Sequence, residues 1–353
     1  MSQPDILLFM SDQHAPQFMG GAEIPVDTPN LDALRREGTS FSEAYTACPL
    51  CVPARMAMLS GMRAARTGIF TNVDTLPDTL PTFLYHLAAA GYETVLAGRM
   101  HFIGQDQRHG FTKRIAPDIT LVTWTRPEHI KAERGVFART FAGKWAPQVV
   151  GGGESPVLHY DELVIQAAVD YLAQPHEKPQ FILVGTYGPH FPYVAPPELF
   201  QKYWDRVELP ALRGQPPEAI NPYLLAHRVE ATDEVARGVR AAYCGMVEHM
   251  DGQIGRVRAA FDAFTAGRGT KKLFGYLSDH GDQAGERDFY GKETFFEKSV
   301  KIPLVLAGDG VAVGRVETAP ASILDLGPTL CEWAGAQMPA DADGISLTPA
   351  LKG

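Results

Sequence analysis

The stretch "DILLFMSDQH", residues 5–14, places five consecutive apolar residues directly before a polar cluster. An apolar run of this length is typical of a β-strand that is buried on both faces of a sheet. Four further runs have the same character: 93–98, 181–187, 273–278 and 302–308. Helical patterns lie between the runs, at about 28–38, 78–91, 159–173, 230–263 and 320–334. This alternation predicts an α/β fold with a mostly parallel central sheet and helices on both faces.

Acidic residues follow two of the predicted strands. The first strand ends in "SDQH", residues 11–14, and the fourth ends in "SDHGD", residues 278–282. Because the carboxyl ends of parallel strands meet at one edge of a sheet, we expect both clusters at the same edge. Taken alone, each acid could equally be a helix cap or a turn former. Together they offer oxygen and imidazole ligands suited to a hard divalent cation, and they predict a metal site formed by Asp12, Gln13, Asp279 and His280.

The bulk properties are those of an acidic globular protein. The 353 residues are 45% apolar and 21% charged, with a formal net charge of -9, which argues against nucleic acid as the main partner. Four cysteines are too few for a disulfide framework. With no apolar run long enough to span a bilayer and no signal-peptide pattern, we expect no membrane partner and a cytoplasmic location. Residues 1–353 are predicted to form a single domain, with excursions from the sheet at about 110–158 and 192–222.

A second informative stretch is "ACPLCVPARMAMLSG", residues 47–61, which contains two of the cysteines. Cysteines three positions apart occur in redox dithiols and in zinc sites, but a thioredoxin-type dithiol lies in a small domain of its own. A zinc site needs further thiol or imidazole ligands, and Cys244 and Cys331 are isolated in the sequence. Cys48, like these two, is readily explained as a small buried apolar residue. Cys51 is distinguished by the residues that follow it.

The segment from Cys51 to Arg55, "CVPAR", continued by "MAMLSG", resembles the signature of the type I sulfatases of the alkaline phosphatase superfamily. In that family the cysteine is oxidised after translation to formylglycine, and Cys-x-Pro-x-Arg is the pattern that the modifying enzyme reads. Four further segments follow the family's order and approximate spacing: "ILLFMSDQH" (6–14), "AGRMHFIGQDQRHGF" (97–111), "GPHFPY" (188–193) and "YLSDHGDQAGERDFYGKETFFEKSVKIPLVL" (276–306). The Asp-Gln and Asp-His pairs of the acidic clusters are most similar to choline sulfatases and phosphonate monoester hydrolases.

The resemblance implies a sulfatase-like α/β fold and hydrolysis of sulfate monoesters to an alcohol and inorganic sulfate. Formylglycine formed from Cys51 would be hydrated to a gem-diol. One hydroxyl would attack sulfur, and the second would let the sulfated intermediate collapse to the aldehyde. The implied cofactor is a divalent metal, Ca²⁺ in the first place and Mn²⁺ or Mg²⁺ as alternatives, acting as Lewis acid and template. The implied partners are a small-molecule sulfate ester and, during maturation, a formylglycine-generating enzyme. Whether the protein forms a homo-oligomer stays open.

The residues after Cys51 suit the binding of an anion. Pro53 at a helix start, with Arg55 one turn in, would place Cys51 at the positive end of that helix, where an anionic nucleophile and substrate are favoured. Arg55 would stabilise the diol or the sulfate.

Other roles follow from the resemblance alone. His101 is expected to be the general base for the second hydroxyl. His190 and Lys292 are expected to contact the oxygen that bridges to the leaving group and to assist its departure. Asn72, after "RTGIFT", is expected to point into the pocket as a substrate-binding residue.

The chain departs from the family pattern at Arg99, where most members have lysine in a Gly-Lys-x-His segment. Arginine keeps a permanent positive charge but is poorly suited to proton exchange, so we expect Arg99 to stabilise charge rather than to shuttle protons. The chain also stops after "DGISLTPALKG", residues 343–353, where family members usually continue. Residues from about 340 to 353 are therefore interpreted as the start of a carboxyl-terminal subdomain that is short or absent.

Two other functions stay open on the sequence alone. A phosphonate monoester or phosphodiester hydrolase is the first, because sulfate and phosphate esters share a tetrahedral anionic geometry. A catalytically silent anion-binding protein is the second, with Arg99 and the short carboxyl-terminal region as signs of decay.

Overall fold

The computed structural model describes residues 3–120, 143–215, 221–339 and 341–353, without the side chains of residues 143–145. In this part of the chain the strands are β1 (Asp5–Asp12), β2 (Thr39–Phe41), β3 (Ala44–Tyr45), β4 (Glu93–Gly98), β5 (Lys113–Ala116), β6 (Val150–Gly152), β7 (Gln180–Pro189), β8 (Tyr193–Ala195), β9 (Lys272–Ser278), β10 (Leu304–Gly308), β11 (Arg315–Glu317) and β12 (Ala321–Ser322). The helices are α1 (Pro29–Glu37), α2 (Cys51–Ser60), α3 (Ala64–Thr67), α4 (Phe83–Ala89), α5 (Pro156–Leu172), α6 (Pro197–Trp204), α7 (Pro222–Leu225), α8 (Asp233–Arg268), α9 (Glu297–Val300), α10 (Leu326–Ala334) and α11 (Thr348–Lys352). Short 3₁₀ turns occupy Gly143–Gln148, Glu286–Asp288 and Ile323–Asp325.

Among the described residues, the main sheet has eight strands in the order β11-β2-β10-β9-β1-β7-β4-β5. β1 pairs in parallel with β9 and β7, and β4 pairs in parallel with β7 and β5. The predicted α/β fold with a mostly parallel sheet is therefore confirmed. β10 differs, because it runs antiparallel to both β9 and β2. Between β9 and β10 the chain forms the 3₁₀ turn Glu286–Asp288 and the short helix α9.

The strand β1 shows why its sequence is apolar at successive positions. Ile6, Leu8 and Met10 pack into a core shared with α2, α4 and α10. Leu7 and Phe9 pack into a second core, shared with α1, α5 and α8. Because successive side chains of a strand point to opposite faces, a strand covered by helices on both sides needs apolar residues at every position.

The longest helix, α8, has 36 residues. Thr232 caps its first turn by accepting a hydrogen bond from the N–H of Val235, and Gly269 ends it in the left-handed conformation. The predicted end near residue 263 is a few residues short, because Phe264 still packs on the sheet. Among the helices of the described residues, none combines the length and the apolar character that crossing a membrane requires.

Two predicted segments differ from the structure. The helix predicted from about residue 320 begins only at α10, because Ser322 and Asp325 form a capping box around a 3₁₀ turn. The excursion predicted from about residue 110 is wrong at its start, since β5 pairs with β4 at the sheet edge. Residues 121–142 of this excursion and 216–220 of the second lie outside the described residues.

The parallel register brings the two acidic clusters side by side. Ser11 of β1 lies opposite Ser278 of β9, and Asp12 and Asp279 come directly after them. Both clusters therefore emerge at the same edge of the sheet, as predicted. The ends of β4 and β7 deliver the segments that begin at Arg99 and at His190 to this edge.

Candidate active site

Cys51 is the first residue of α2, and its side chain is buried at the carboxyl edge of the sheet. This confirms its predicted position at the positive end of a helix. Its Sγ atom lies 3.1 Å from Lys292 Nζ, 3.3 Å from His280 Nε2 and 3.8 Å from Asp12 Oδ1. Burial, with the negative charge of Asp12, raises the pKa of the thiol. An unmodified Cys51 is therefore protonated at neutral pH and is a poor nucleophile.

Arg55 lies between the two acidic strand ends and is fully buried. Its Nε donates to Asp279 Oδ2 over 2.9 Å, and its Nη2 donates to Asp12 Oδ2 over 3.0 Å. Its Nη1 donates to the main-chain oxygen of Arg99 over 3.2 Å. Arg55 is not among the described residues that line the pocket. It thus orients the two carboxylates, while its contact with a diol or a sulfate stays a prediction.

Arg99 contacts several groups through different atoms of one guanidinium. Nε donates to Asp12 Oδ2 over 2.6 Å, Nη2 donates to His101 Nδ1 over 2.8 Å, and Nη1 donates to Thr120. The guanidinium carbon also lies 4.4 Å from the centre of the Tyr187 ring. Burial alone would raise the pKa of Asp12, but the nearby positive charges, that of Arg99 foremost, hold it well below its ordinary value. Asp12 is therefore ionised throughout the neutral range.

Two of the histidines that line the pocket, His101 and His190, have opposite partners at Nδ1. A guanidinium can only donate, so His101 Nδ1 accepts from Arg99 and the ring proton of His101 is on Nε2. The oxygen of Phe191 can only accept, so His190 Nδ1, 2.7 Å away, carries the proton of that ring. Burial lowers the pKa of both rings, with a further contribution from Arg99 at His101 and from Lys292 at His190. In their neutral forms, His101 Nε2 can donate a hydrogen bond and His190 Nε2 can accept one.

Four side chains bring potential metal ligands within 4.8 Å of one another: Asp12, Cys51, Asp279 and His280. His280 Nδ1 lies 3.1 Å from the oxygen of Gly281, to which it donates, and this leaves the lone pair of Nε2 directed to the cluster. Burial lowers the pKa of His280, so the ring is neutral, as a metal ligand must be. Two carboxylates and a neutral imidazole fit a divalent metal ion of the predicted kind.

Gln13 and Lys292 complete this side of the site. Lys292 Nζ donates to Gln13 Oε1 over 2.8 Å and to Cys51 Sγ over 3.1 Å. Burial would lower the pKa of Lys292, but the negative groups around it, Asp12 among them, raise it. Lys292 is therefore an ammonium that joins the cysteine to the predicted metal ligands.

Asn72 lies at the rim of the pocket and also holds the start of α2. Its Oδ1 accepts a hydrogen bond of 2.9 Å from the main-chain N–H of Val52, and its side chain lines the pocket as predicted. The pocket floor is polar, while aromatic side chains line the walls: Phe191, Tyr223, Phe289 and Tyr290. The pocket thus combines a positively charged floor with apolar walls.

Sequence reasoning missed three buried acids that support the site. Asp118 accepts hydrogen bonds of 3.0 Å and 2.7 Å from the N–H groups of residues 100 and 101. It lies just after the end of β5, and Asp12 is the last residue of β1, so the same rule would have found Asp118 had β5 been predicted. Asp161 of α5 binds the N–H groups of residues 187 and 188 over 2.7 Å and 2.8 Å, and no sequence signal marks it. Asp282, within the second acidic cluster, contacts Gln13.

The known proteins that this chain resembles are sulfatases and a phosphonate monoester hydrolase. The sequence model of the sulfatase family matches residues 4–336. The choline-sulfatase of Rhizobium meliloti (strain 1021) is 33% identical over 380 residues, covering 99% of this chain and 72% of the relative. The arylsulfatase of Clostridium perfringens (strain 13 / Type A) is 27% identical over 391 residues, covering 98% of this chain and 78% of the relative. The phosphonate monoester hydrolase of Silicibacter pomeroyi has the same fold, with a TM-score of 0.77, 23% identity, and coverage of 99% of this chain and 77% of that structure.

Proposed function

This chain belongs to the sulfatase family, and from that premise we propose that it hydrolyses small-molecule sulfate monoesters to the alcohol and inorganic sulfate. The nucleophile is formylglycine, made from Cys51 by a formylglycine-generating enzyme during maturation. The observation that carries the proposal is the position of Cys51 Sγ at the start of α2, 3.1 Å from Lys292 Nζ and 3.8 Å from Asp12 Oδ1. A tetrahedral anion at this point meets a helix N-terminus and a buried ammonium.

The predicted metal ligands are Asp12, Gln13, Asp279 and His280. A divalent metal held by them supplies Lewis acidity and positive charge when bound, with Ca²⁺ as the first candidate and Mn²⁺ or Mg²⁺ as alternatives. The aldehyde at position 51 supplies a hydrated nucleophile that can release sulfate, which a serine or cysteine ester does not do readily. The chain prepares the site beforehand, because Arg55 and the carboxylates that it orients are fixed by buried ion pairs.

The hydrogen-bond partners of the pocket side chains indicate which of these side chains donates and which accepts a proton or a hydrogen bond. Lys292 stays protonated and donates a hydrogen bond to the oxygen of the leaving alcohol, which receives the proton that the attacking hydroxyl loses. His190 Nε2 accepts the proton of the second diol hydroxyl when the sulfated intermediate collapses to the aldehyde, and His101 Nε2 donates a hydrogen bond to an anionic oxygen. His190 therefore takes the acceptor role that the resemblance gives to His101. Arg99 stabilises negative charge without exchanging a proton, as its permanent charge requires.

The alcohol of the substrate lies against the aromatic walls and the rim residue Asn72. Aromatic faces bind either an aryl group or the cationic group of a choline ester, so both substrates belong in the test. We propose no nucleic acid or membrane partner. The cytoplasmic location stays a prediction.

A phosphonate monoester or phosphodiester hydrolase is the second candidate function. The shared fold with a phosphonate monoester hydrolase and the charged pocket floor both favour it, because the floor contacts a tetrahedral anion whether its central atom is sulfur or phosphorus. The two candidates differ only in which ester is turned over faster.

The test is turnover of nitrophenyl sulfate, choline sulfate and a phosphonate monoester by metal-loaded protein made with a formylglycine-generating enzyme. Intact mass first establishes that Cys51 has exchanged H₂S for O. We expect Cys51→Ala to abolish turnover without unfolding the protein, while the matched control Cys48→Ala keeps it. Turnover of the phosphonate but of neither sulfate would establish the second candidate. A fully converted protein that turns over none of these esters would overturn both candidates, whereas an inactive protein whose Cys51 stays unmodified despite the formylglycine-generating enzyme would favour the silent anion-binding protein.

A further inference from the structure

Both main-chain polar groups of Gln13, a residue of the predicted metal site, are hydrogen-bonded. Its N–H donates to Asp279 Oδ1 over 3.0 Å, and its carbonyl oxygen accepts from the hydroxyl of Tyr243 over 2.6 Å. Its φ angle of 72° lies in the left-handed region, and its side chain is fully buried. The main chain of Gln13 is therefore fixed. The orientation of its terminal amide depends on the groups beside it.

The two groups that flank this amide allow only one orientation. Gln13 Nε2 donates to Asp282 Oδ2 over 2.6 Å, and Oε1 accepts from Lys292 Nζ over 2.8 Å. The oxygens of Asp282 act as acceptors here, because main-chain N–H groups already donate to this carboxyl, and an ammonium can only donate. A half-turn of the amide would place oxygen against oxygen at Asp282 and two donors against each other at Lys292. The oxygen of Gln13 therefore faces Lys292, whose Nζ also contacts Cys51 Sγ, and the nitrogen faces Asp282.

Asp282 is itself surrounded by donors. Its Oδ1 accepts from the N–H of Ala284 over 2.7 Å and from the N–H of Gly291 over 2.9 Å. The hydroxyl of Tyr193 lies 3.0 Å and 2.9 Å from its two oxygens. Together with Gln13 Nε2, these donors hold the carboxylate in one rotamer, so it is a rigid acceptor for the amide.

We infer that Asp282 is a positioning residue for the metal: it makes Gln13 a ligand by turning the amide oxygen into the site. The inference rests on the proposed function, since it needs the metal that this function requires. A carboxylate at position 13 would present an oxygen in either orientation, but an amide turned the wrong way presents an N–H₂ group that cannot bind a cation. A glutamine at this position therefore depends on its partner in a way that an acid would not.

The test is the affinity for Mn²⁺, measured by calorimetric titration without substrate. In Asp282→Asn, the N–H groups of residues 284 and 291 keep the new side-chain oxygen where Oδ1 was. The new amino group then faces Gln13 Nε2, and the Gln13 amide must turn. We expect the dissociation constant to rise about 10- to 100-fold, the usual cost of losing the partner that orients a metal ligand.

The double variant Gln13→Glu/Asp282→Asn keeps the net charge of the pair and reverses the direction of the hydrogen bond. One oxygen introduced at position 13 accepts from the new amide, and the other faces the site. We expect the affinity for Mn²⁺ to return close to that of the wild type. Glu297→Gln removes an exposed carboxylate from the same segment without touching Gln13 or the pocket, and is expected to leave the affinity unchanged.

The outcomes separate the inference from the function beneath it. A wild type that binds Mn²⁺ and an Asp282→Asn variant of equal affinity would overturn the inference alone. A double variant that binds Mn²⁺ as weakly as Asp282→Asn would also overturn the inference. This comparison distinguishes a misdirected Gln13 amide from an Asp282→Asn protein that merely folds badly. A wild type that binds no Mn²⁺ would overturn both the inference and the metal part of the proposed function.

Discussion

Replacing Arg99 by lysine separates the effect of positive charge from that of the guanidinium shape. The side chain is fully buried and binds Asp12 through Nε and His101 through Nη2, at 2.6 Å and 2.8 Å. These donors point in different directions from one planar group. Lysine offers three donors on a single atom with a shorter reach, so it keeps the contact with Asp12 and loses the one with His101.

The size of the effect follows from the lost hydrogen bond. A hydrogen bond to a charged group contributes about 1.5 to 3 kcal/mol, and each 1.36 kcal/mol of transition-state stabilisation corresponds to about a tenfold change in rate. We therefore expect Arg99→Lys to lower kcat/KM for nitrophenyl sulfate about 10- to 150-fold. The affinity for the metal is expected to change little, because Asp12 keeps a cationic partner. Arg63→Lys, the same replacement at an exposed ion pair with Asp343, is the matched control and is expected to leave turnover unchanged.

The ring nitrogens of His101 provide an independent measurement. NMR of protein labelled with nitrogen isotope in histidine, assigned by comparison with His101→Gln, distinguishes a protonated from an unprotonated ring nitrogen. We expect the proton on Nε2 in the wild type and a mixture of both tautomers in Arg99→Lys, where the fixed donor at Nδ1 is gone. The reasoning is refuted if the wild type carries the proton on Nδ1, or if Arg99→Lys turns over its substrate at the wild-type rate.

Two stability predictions concern other buried charges. Arg55→Met leaves Asp12 and Asp279 without their shared counter-ion. We expect the free energy of unfolding, measured by denaturant titration without metal, to fall by about 3 to 5 kcal/mol. The control Arg35→Met, at a half-exposed arginine, should lose far less. Burial raises the pKa of Asp161 to about 7 from 3.8, although two main-chain N–H groups partly offset it. Between these values the unfolded chain ionises while the native state keeps the proton, so this group lowers stability by about 4 kcal/mol as pH rises from about 4 to 7. Asp161→Asn cannot ionise and should gain stability relative to the wild type over that range, and parallel pH profiles for the two proteins would contradict the assignment.

Much of the fold could be predicted because its signals are local. A strand covered by helices on both faces needs apolar residues at every position, and the run from Ile6 to Met10 has them. The weaker strand β5, Lys113–Ala116, was missed because its residues are only partly buried and its apolar pattern is short. The start of α10 was misplaced for a similar reason, since the capping box at Ser322 competes with a helix that begins earlier.

The placement of the site residues could also be predicted in outline. Acids that follow parallel strands must lie at one edge, so strand direction places Asp12 and Asp279 at the same edge, and the pairing of β1 with β9 makes them neighbours. The Cys-x-Pro-x-Arg segment singled out Cys51, and its position at the start of α2 follows from the same local pattern. These predictions depend on strand direction and helix initiation, which short segments of sequence determine.

The direction in which each buried polar group points is decided by the tertiary structure alone. Gln13 and Asp282 are 269 positions apart, and Arg99 and Asp12 are 87 positions apart, yet each pair is joined by a hydrogen bond of 2.6 Å. No local pattern records such partners, because residue type sets what a side chain can donate or accept, while its orientation depends on which groups the fold places beside it. The sequence by itself therefore determined which residues gather at the edge of the sheet. The packing of distant segments decided that Arg55 binds carboxylates, that the two histidines carry their protons on opposite nitrogens, and that Asp282 orients Gln13.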